Sequence, residues 1–129
     1  MKRMKKILAR LWGRKNGKWR LTFPTKATFI TLTFDPQSGH EQKGRRPALV
    51  ISNSLFNRGT GLAIVCPLTN TKRGIPFHLP VPDSSTLTGF LMVEQVKSID
   101  FKARNAKFIA QAPPELLADV IAIIDACLK

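Results

Sequence analysis

Residues 34–53 read FDPQSGHEQKGRRPALVISN, and this stretch constrains both fold and chemistry more than any other. Residues 35–39 form a dense cluster of turn formers, so the extended run that precedes them ends at Phe34. Pro47 then opens the apolar residues 48–51, which are typical of a buried strand. The loop between these strands carries an imidazole, a carboxylate and cations, the groups that grip a phosphodiester and move its protons. They are His40, Glu41, Lys43, Arg45 and Arg46.

Short β-branched and apolar runs continue through the chain at roughly ten-residue spacing. Strands are predicted over residues 28–34, 47–52, 61–67, 88–96 and 106–110, a turn or short helix over 54–58, and an edge or irregular segment over 75–81. A closing helix is predicted to start at Pro113 and Pro114. The pattern predicts a mainly β (α+β) fold, a small and strongly bent antiparallel sheet or barrel with the C-terminal helix covering one face.

Positive charge is concentrated at the N-terminus. The formal net charge is +13, and ten of the 21 basic residues lie within residues 1–26, which hold no acidic residue. Such a charge points to a polyanionic partner. We predict two regions: a basic N-terminal extension over residues 1–22 and one domain over residues 23–129. Within the extension, the spacing of Met4, Ile7, Leu8, Leu11 and Trp12 predicts an amphipathic helix that lies on lipid, RNA or a partner. The alternative is a segment that is disordered until it meets a partner.

Several classes of protein are disfavoured by composition. Cys66 and Cys127 lack CxxC spacing, which suits a reducing cytosol, with Cys66 as a small core residue. His40 and His78 are the only histidines and form no metal-binding motif, so neither a metal ion nor another cofactor is expected. No apolar stretch approaches the length of a membrane span, and no secretory signal is evident. We therefore expect a cytoplasmic protein without a membrane span.

Four blocks of sequence, in order, resemble the MazF/PemK toxin family. They are FDPQSGHEQKGRRPALVIS (34–52), GLAIVCPLT (61–69), GFLMVEQVKSID (89–100) and KARNAKFIA (102–110). The resemblance implies a compact SH3-like barrel with a C-terminal helix, usually a homodimer. It implies the toxin of a type II toxin–antitoxin system, an mRNA interferase that inhibits growth by cutting single-stranded RNA at a specific word. The implied products are 2′,3′-cyclic phosphate and 5′-hydroxyl ends, and the implied protein partner is a cognate antitoxin.

The resemblance also assigns the site. Arg46 matches the arginine before the loop proline, and its guanidinium fork suits a phosphate. Thr69 matches the active-site threonine and Glu41 the loop acid, while His40 matches a histidine of only some members. Glu94 stands where the family usually has Asp, an acidic residue that family members use as a base or for recognition. For RNA binding we expect contributions from Gln42, Lys43, Lys72, Arg73, Gln95 and Lys97.

Each of these residues also has a structural interpretation. Thr69 can start a turn before Asn70, and Arg46 and Glu94 can be exposed strand residues. Alternation along an extended backbone turns Arg45 away from Arg46, which makes Arg45 peripheral. Arg104 and Lys107 suit a solvated face, and His78 a structural position. The segments expected to shape base pockets are residues 70–76 and 82–88.

The chain departs from the family pattern at the first strand. Ala27 and Thr28 replace a Gly-Asp pair, and Thr33 replaces an Asp. The lost glycine matters only if that position needs a positive φ. These changes leave open the alternative that the protein is a catalytically decayed family member, which binds RNA or antitoxin without cleaving RNA. A gyrase-inhibiting toxin on the same fold is a further alternative, but it relies on a Trp-Gly-Ile-type end, whereas this chain ends ACLK.

Overall fold

The computed structural model describes residues 23–34, 44–83 and 85–129. The predicted N-terminal extension and the loop residues His40, Glu41, Gln42 and Lys43 lie outside this part of the chain. The described elements are β1 (Thr28–Thr33), β2 (Arg45–Val50), α1 (Ser54–Thr60), β3 (Leu62–Thr69), β4 (His78–Pro80), β5 (Phe90–Met92), a 3-10 turn (Val93–Gln95), β6 (Lys97–Asp100), β7 (Lys107–Gln111) and α2 (Pro114–Cys127).

The strands form one antiparallel sheet in the order β4-β5-β3-β2-β1-β7, with β6 pairing to β3 beside this path. The mainly β fold with a C-terminal helix is confirmed. Closure into a barrel is not, because within the described residues no pairing joins β4 to β7, the two outer strands. The sheet instead bends around β3, whose first half pairs with β6 and whose last two residues pair with β5.

Alternation along the strands sends side chains into two separate hydrophobic clusters. In β1, Phe29 joins a cluster with Leu116 and Val120 of α2, whereas the next residue, Ile30, joins a cluster that includes Phe101. Helix α2 therefore covers one face, as predicted. Phe29 and Ile30, neighbours on opposite faces of β1, are both nearly inaccessible to solvent, so the middle of the sheet is packed on both faces.

The two cysteines differ in environment. Cys66 is buried in the cluster beneath α2, as predicted, and Cys127 is exposed; both are free thiols. Burial, with a smaller effect from the negative charge of Glu94, raises the pKa of the Cys66 thiol to about 12. Cys66 therefore stays protonated and acts as a small apolar residue.

The predicted strand over residues 88–96 is wrong in its second half, and β6 was missed. After Phe90 and Leu91 have paired with the end of β3, the chain must move along β3 to pair again nearer its start. The 3-10 turn makes this shift, with the Val93 N–H donating to the Phe77 carbonyl and the Val96 N–H to the Val93 carbonyl. Hydrophobic periodicity does not detect a change of pairing position within an apolar run.

Ala27 adopts the left-handed conformation that usually favours glycine. Its φ is 62°, and its N–H donates to the Val50 carbonyl while its carbonyl accepts from the Ala112 N–H, at 2.9 Å in both bonds. These two bonds tie the start of β1 to the end of β2 and to the segment before α2. The backbone conformation is therefore imposed by tertiary contacts, and an alanine there is strained.

Candidate active site

A cleft of about 490 Å³ opens where β2 begins and β3 ends. This volume falls within the usual range of ligand pockets, about 300–1,000 Å³. Arg46 and Thr69, which are 23 residues apart in sequence, both line it. The remaining wall consists of Arg45, Pro47, Leu68, Asn70, Thr86, Leu87 and Thr88. The structure thus brings together two of the five predicted catalytic residues, and it places parts of both predicted pocket segments beside them.

Arg46 is exposed at the second position of β2, opposite Leu32 of β1. Its backbone is held in the sheet while its charged end is accessible from solvent. A guanidinium has five N–H donors in a fixed planar arrangement, which suits two oxygens of a phosphate. Arg46 is therefore placed to bind an anion that enters the cleft.

Thr69 is the last residue of β3 and is half-buried. Its hydroxyl oxygen accepts the N–H of Thr71 at 3.2 Å, so the turn role and the cleft position coexist. That bond leaves the hydroxyl proton available to donate to a ligand. The carbonyl of Thr69 packs tightly against Gly89, where a Cβ atom would lie 2.6 Å from the oxygen. Gly89, a residue that sequence reasoning did not single out, thus fixes the position of Thr69.

Arg45 is held by the protein itself. Its guanidinium donates to the Thr33 hydroxyl at 3.3 Å, to the Thr31 carbonyl at 3.2 Å and to the Asn105 carbonyl at 3.0 Å. The prediction that Arg45 is peripheral is wrong, because Arg45 lines the cleft together with Arg46. The two differ in that the Arg45 guanidinium is bonded to the protein. Arg45 joins β2 to β1 and to the β6–β7 turn.

Glu94 lies in the 3-10 turn and pairs with His78 of β4. Its Oε2 atom is 2.9 Å from Nε2 of His78, whose side chain is 3% exposed against 34% for that of Glu94. Partial burial raises the pKa of Glu94. The hydrogen bond and charge of His78, with hydrogen bonds from the Glu94 backbone and the Gln95 side chain, outweigh this effect, so the pKa is lowered overall. Because an ionised carboxylate only accepts, Nε2 donates, and the buried Nδ1 has no partner. The side chain of His78 is nearly inaccessible and bound to Glu94, and its structural role stays a prediction.

The remaining predicted residues that the structure describes do not line the cleft. Glu94, Gln95, Lys72 and Arg73 are exposed, and none of them is among the residues that line it. Lys97 is also exposed, and its Nζ lies 5.1 Å from the centre of the Phe34 ring, at the entry to the loop. Their roles in catalysis and RNA binding stay predictions. Within residues 23–34, 44–83 and 85–129, no three His, Cys, Asp or Glu residues form a group that would hold a metal ion.

The substitutions in the first strand leave no unfilled polar site. Thr28 is 1% exposed, and its hydroxyl donates to the Thr25 carbonyl at 2.6 Å. It lies at the far end of β1 from Thr33, about 16 Å away at 3.3 Å per residue. Thr33 supplies a hydroxyl acceptor to Arg45 in place of a carboxylate. The loss of two acids is therefore accommodated by local hydrogen bonds.

Comparison with known proteins identifies the family of this chain. The profile of the PemK-like, MazF-like toxin of type II toxin-antitoxin systems matches residues 26–128. The chain belongs to this family. It is 37% identical over 94 residues to the endoribonuclease toxin MazF of Escherichia coli K12, covering 73% of this chain and 84% of that protein. It is 35% identical over 109 residues to the endoribonuclease toxin ChpB of the same strain, covering 81% and 93%.

A solved structure of a relative shares the fold. The MazE–MazF complex (Form-III) of Deinococcus radiodurans matches with a TM-score of 0.74 and 35% identity, covering 81% of this chain and 95% of the solved chain. Among the described residues of this family member, no helix is both long and apolar enough to cross a membrane.

Proposed function

We propose that this protein is a sequence-specific endoribonuclease, the toxin of a type II toxin–antitoxin system. The observation that carries the proposal is the meeting of Arg46 and Thr69 in one cleft of a chain that belongs to the toxin family. The relatives MazF and ChpB of Escherichia coli are endoribonuclease toxins. The substrate is single-stranded RNA, because unpaired bases can enter clefts whose walls read their edges.

The reaction is a transesterification within the RNA. The 2′-oxygen attacks the adjacent phosphorus and the P–O5′ bond breaks, leaving a 2′,3′-cyclic phosphate and a 5′-hydroxyl. A base removes the 2′-OH proton and an acid protonates O5′. Arg46 binds the phosphoryl oxygens as negative charge develops, and the Thr69 hydroxyl donates to one of them. This scheme needs no metal ion.

Proton transfer is assigned to His40 and Glu41, on the sequence alone. An imidazole titrates near neutral pH, so His40 is suited to donate the proton to O5′. Glu41 would be the base for the 2′-OH. Glu94 is the alternative base. Its carboxylate has a lowered pKa and accepts a hydrogen bond from His78, so it is better suited to accept a hydrogen bond than to take up a proton.

Partners follow from the same assignment. The Deinococcus relative was solved as a complex of MazE with MazF. We expect an antitoxin to bind this chain across the cleft and to compete with RNA for Arg46 and its basic surroundings, and we expect the toxin to be a homodimer. We also propose a cytoplasmic location, which the RNA substrate and the two free cysteines support.

Two alternatives are less well supported. A decayed member would show damage at the substituted positions, but Thr28 and Thr33 have hydrogen-bond partners and Arg46 and Thr69 meet. A gyrase inhibitor would act by binding alone, and the toxins named above are endoribonucleases.

The test is cleavage of a long single-stranded RNA in EDTA by the full chain. We expect discrete cuts with cyclic-phosphate ends from the wild type. Arg46→Ala should lower the rate by about 10²–10³-fold, the usual cost of losing one donor to the developing charge. Lys102→Ala, a change at an exposed residue outside the cleft, should cut normally.

A second substrate isolates the chemistry. An RNA oligonucleotide with a single 2′-deoxy sugar at the cleaved nucleotide lacks the attacking oxygen and should resist cleavage while it still binds. Intact RNA after incubation with folded wild type would overturn the proposal, and so would cutting of the 2′-deoxy substrate.

A further inference from the structure

Two arginines that are far apart in sequence, Arg45 and Arg104, both hold the end of β1. Arg45 donates to the Thr33 hydroxyl and the Thr31 carbonyl. Arg104, from the β6–β7 turn, donates to the carbonyls of Thr33, at 3.3 Å, and of Phe34. Arg104 was expected on a solvated face, but it is half-buried. Its two acceptors lie 71 and 70 residues away in sequence and next to it in space.

Backbone bonds complete the attachment. The Phe34 N–H donates to the Gly44 carbonyl at 2.9 Å, so the residues that flank the loop on both sides are joined. The Thr33 N–H donates to the Arg104 carbonyl at 3.0 Å. Arg104 therefore uses its backbone as well as its side chain to hold the last residues of β1.

The turn that presents Arg104 is itself well braced. The Ala106 N–H donates to the Phe101 carbonyl, and the Ala103 N–H donates to the carboxylate of Asp100 at 3.0 Å. Phe101 is buried in the core, 6% exposed. The turn thus gives the two arginines a fixed support, since Arg45 also donates to the Asn105 carbonyl within it.

We propose that Arg45 and Arg104 are positioning residues that hold Arg46 and the two flanks of the loop in the geometry for catalysis. This inference rests on the proposed function. Arg45 acts through the backbone, because its guanidinium fixes the residue directly before Arg46. Arg104 acts on Phe34, which is bonded to Gly44 and so to the start of β2. Neither guanidinium needs to touch RNA.

Positioning and phosphate binding have different signatures. A phosphate contact releases counterions, so losing it reduces the slope of log Kobs against log salt by about 0.7 for a single strand. A small displacement of reacting groups instead lowers kcat, by about 10²-fold for 1 Å. Binding of RNA and its salt dependence should therefore separate Arg46 from Arg45 and Arg104.

The experiment compares Arg45→Met, Arg104→Met and Arg104→Lys with Arg46→Met and, as the control, Lys102→Met from the same turn. We expect Arg45→Met and Arg104→Met to lower kcat by about 10²-fold, with KM within about threefold of wild type and with an unchanged salt slope. Arg104→Lys should restore part of kcat, because one donor to Phe34 remains. Arg46→Met should lose slope, and Lys102→Met should match wild type in kcat.

Amide hydrogen exchange without RNA provides a readout that does not depend on activity. Arg104→Met should speed exchange at the Thr33 and Phe34 amides at least about tenfold, and Lys102→Met should not. Unchanged kcat, or an arginine variant that loses salt slope as Arg46→Met does, overturns the positioning role. If wild type cuts no RNA, the proposed function fails. The exchange rates then decide whether the two arginines hold the strand end: unchanged rates overturn that too.

Discussion

Ala27 is the clearest case of a single residue at odds with its backbone. At φ 62° an alanine pays a cost that glycine avoids. We expect Ala27→Gly to raise the free energy of unfolding by up to about 1 kcal/mol, since relief of strain exceeds the added entropy of the unfolded chain. Urea unfolding measures it. Ala110→Gly, in β7, is the control and should destabilise; a destabilised Ala27→Gly would show that φ there carries no strain.

For single residues, the sequence predicts those whose function depends on their own side chain and on the motif around them. Arg46 and Thr69 were recognisable from the blocks that surround them, and they do meet in the cleft. Arg104 was not, because its role depends on the Phe34 carbonyl, which is 70 residues away. The sequence alone could not show that Ala27 needs a positive φ, because hydrogen bonds to Val50 and Ala112 impose this conformation.

The contact between β3 and the start of β5 is the element-scale feature on which the cleft depends. Gly89 has a φ of 120°, and a Cβ atom there would meet the Thr69 carbonyl at 2.6 Å. We expect Gly89→Ala to lower the free energy of unfolding by about 1–3 kcal/mol and to reduce cleavage, because β3 must shift at Thr69. Thermal unfolding and RNA cleavage measure both effects.

Gly74→Ala is a matched control for this prediction. Gly74 also has a positive φ, 66°, but open space around the position of a Cβ atom. Gly74 has a positive φ without the collision, so Gly74→Ala should lower the free energy of unfolding by less than Gly89→Ala does. Equal effects of the two substitutions would mean that contact with Thr69 is unimportant.

Elements with a uniform local pattern were predictable, and those set by pairing were not. The predicted strands over residues 28–34, 47–52, 61–67 and 106–110 correspond to β1, β2, β3 and β7, and the closing helix to α2. Residues 88–96 look like one strand because apolar residues continue through them. The break at Val93 arises from the move along β3, which only the tertiary arrangement defines.

For the whole molecule, positive charge is concentrated at the N-terminus. Residues 1–22 carry nine of the 21 basic residues and none of the eight acidic ones. In the part of the chain that the structure describes, both hydrophobic clusters are built from residues 23–124. We expect removal of residues 1–22 to weaken RNA binding at low salt and to reduce its salt slope, by about 0.7 per lost phosphate contact. The positions of the cuts should stay the same, since Arg46 and Thr69 remain.

Fluorescence titrations of full-length and shortened protein at several salt concentrations measure this effect, and mapping of RNA ends checks the cutting positions. An identical salt slope for the two proteins would show that the extension makes no contact with RNA. A changed set of cuts would instead give the extension a part in selectivity.

The contrast between the two thiols makes the protein easy to label at one point. Maleimides react with thiolates, and Cys66 is both buried and held protonated by a pKa of about 12, so only Cys127 is reactive in the folded chain. A single dye can therefore be attached near the end of α2 without any substitution. Since Cys127 is not part of the cleft wall, such a dye reports on association with RNA or antitoxin while leaving Arg46 and Thr69 untouched.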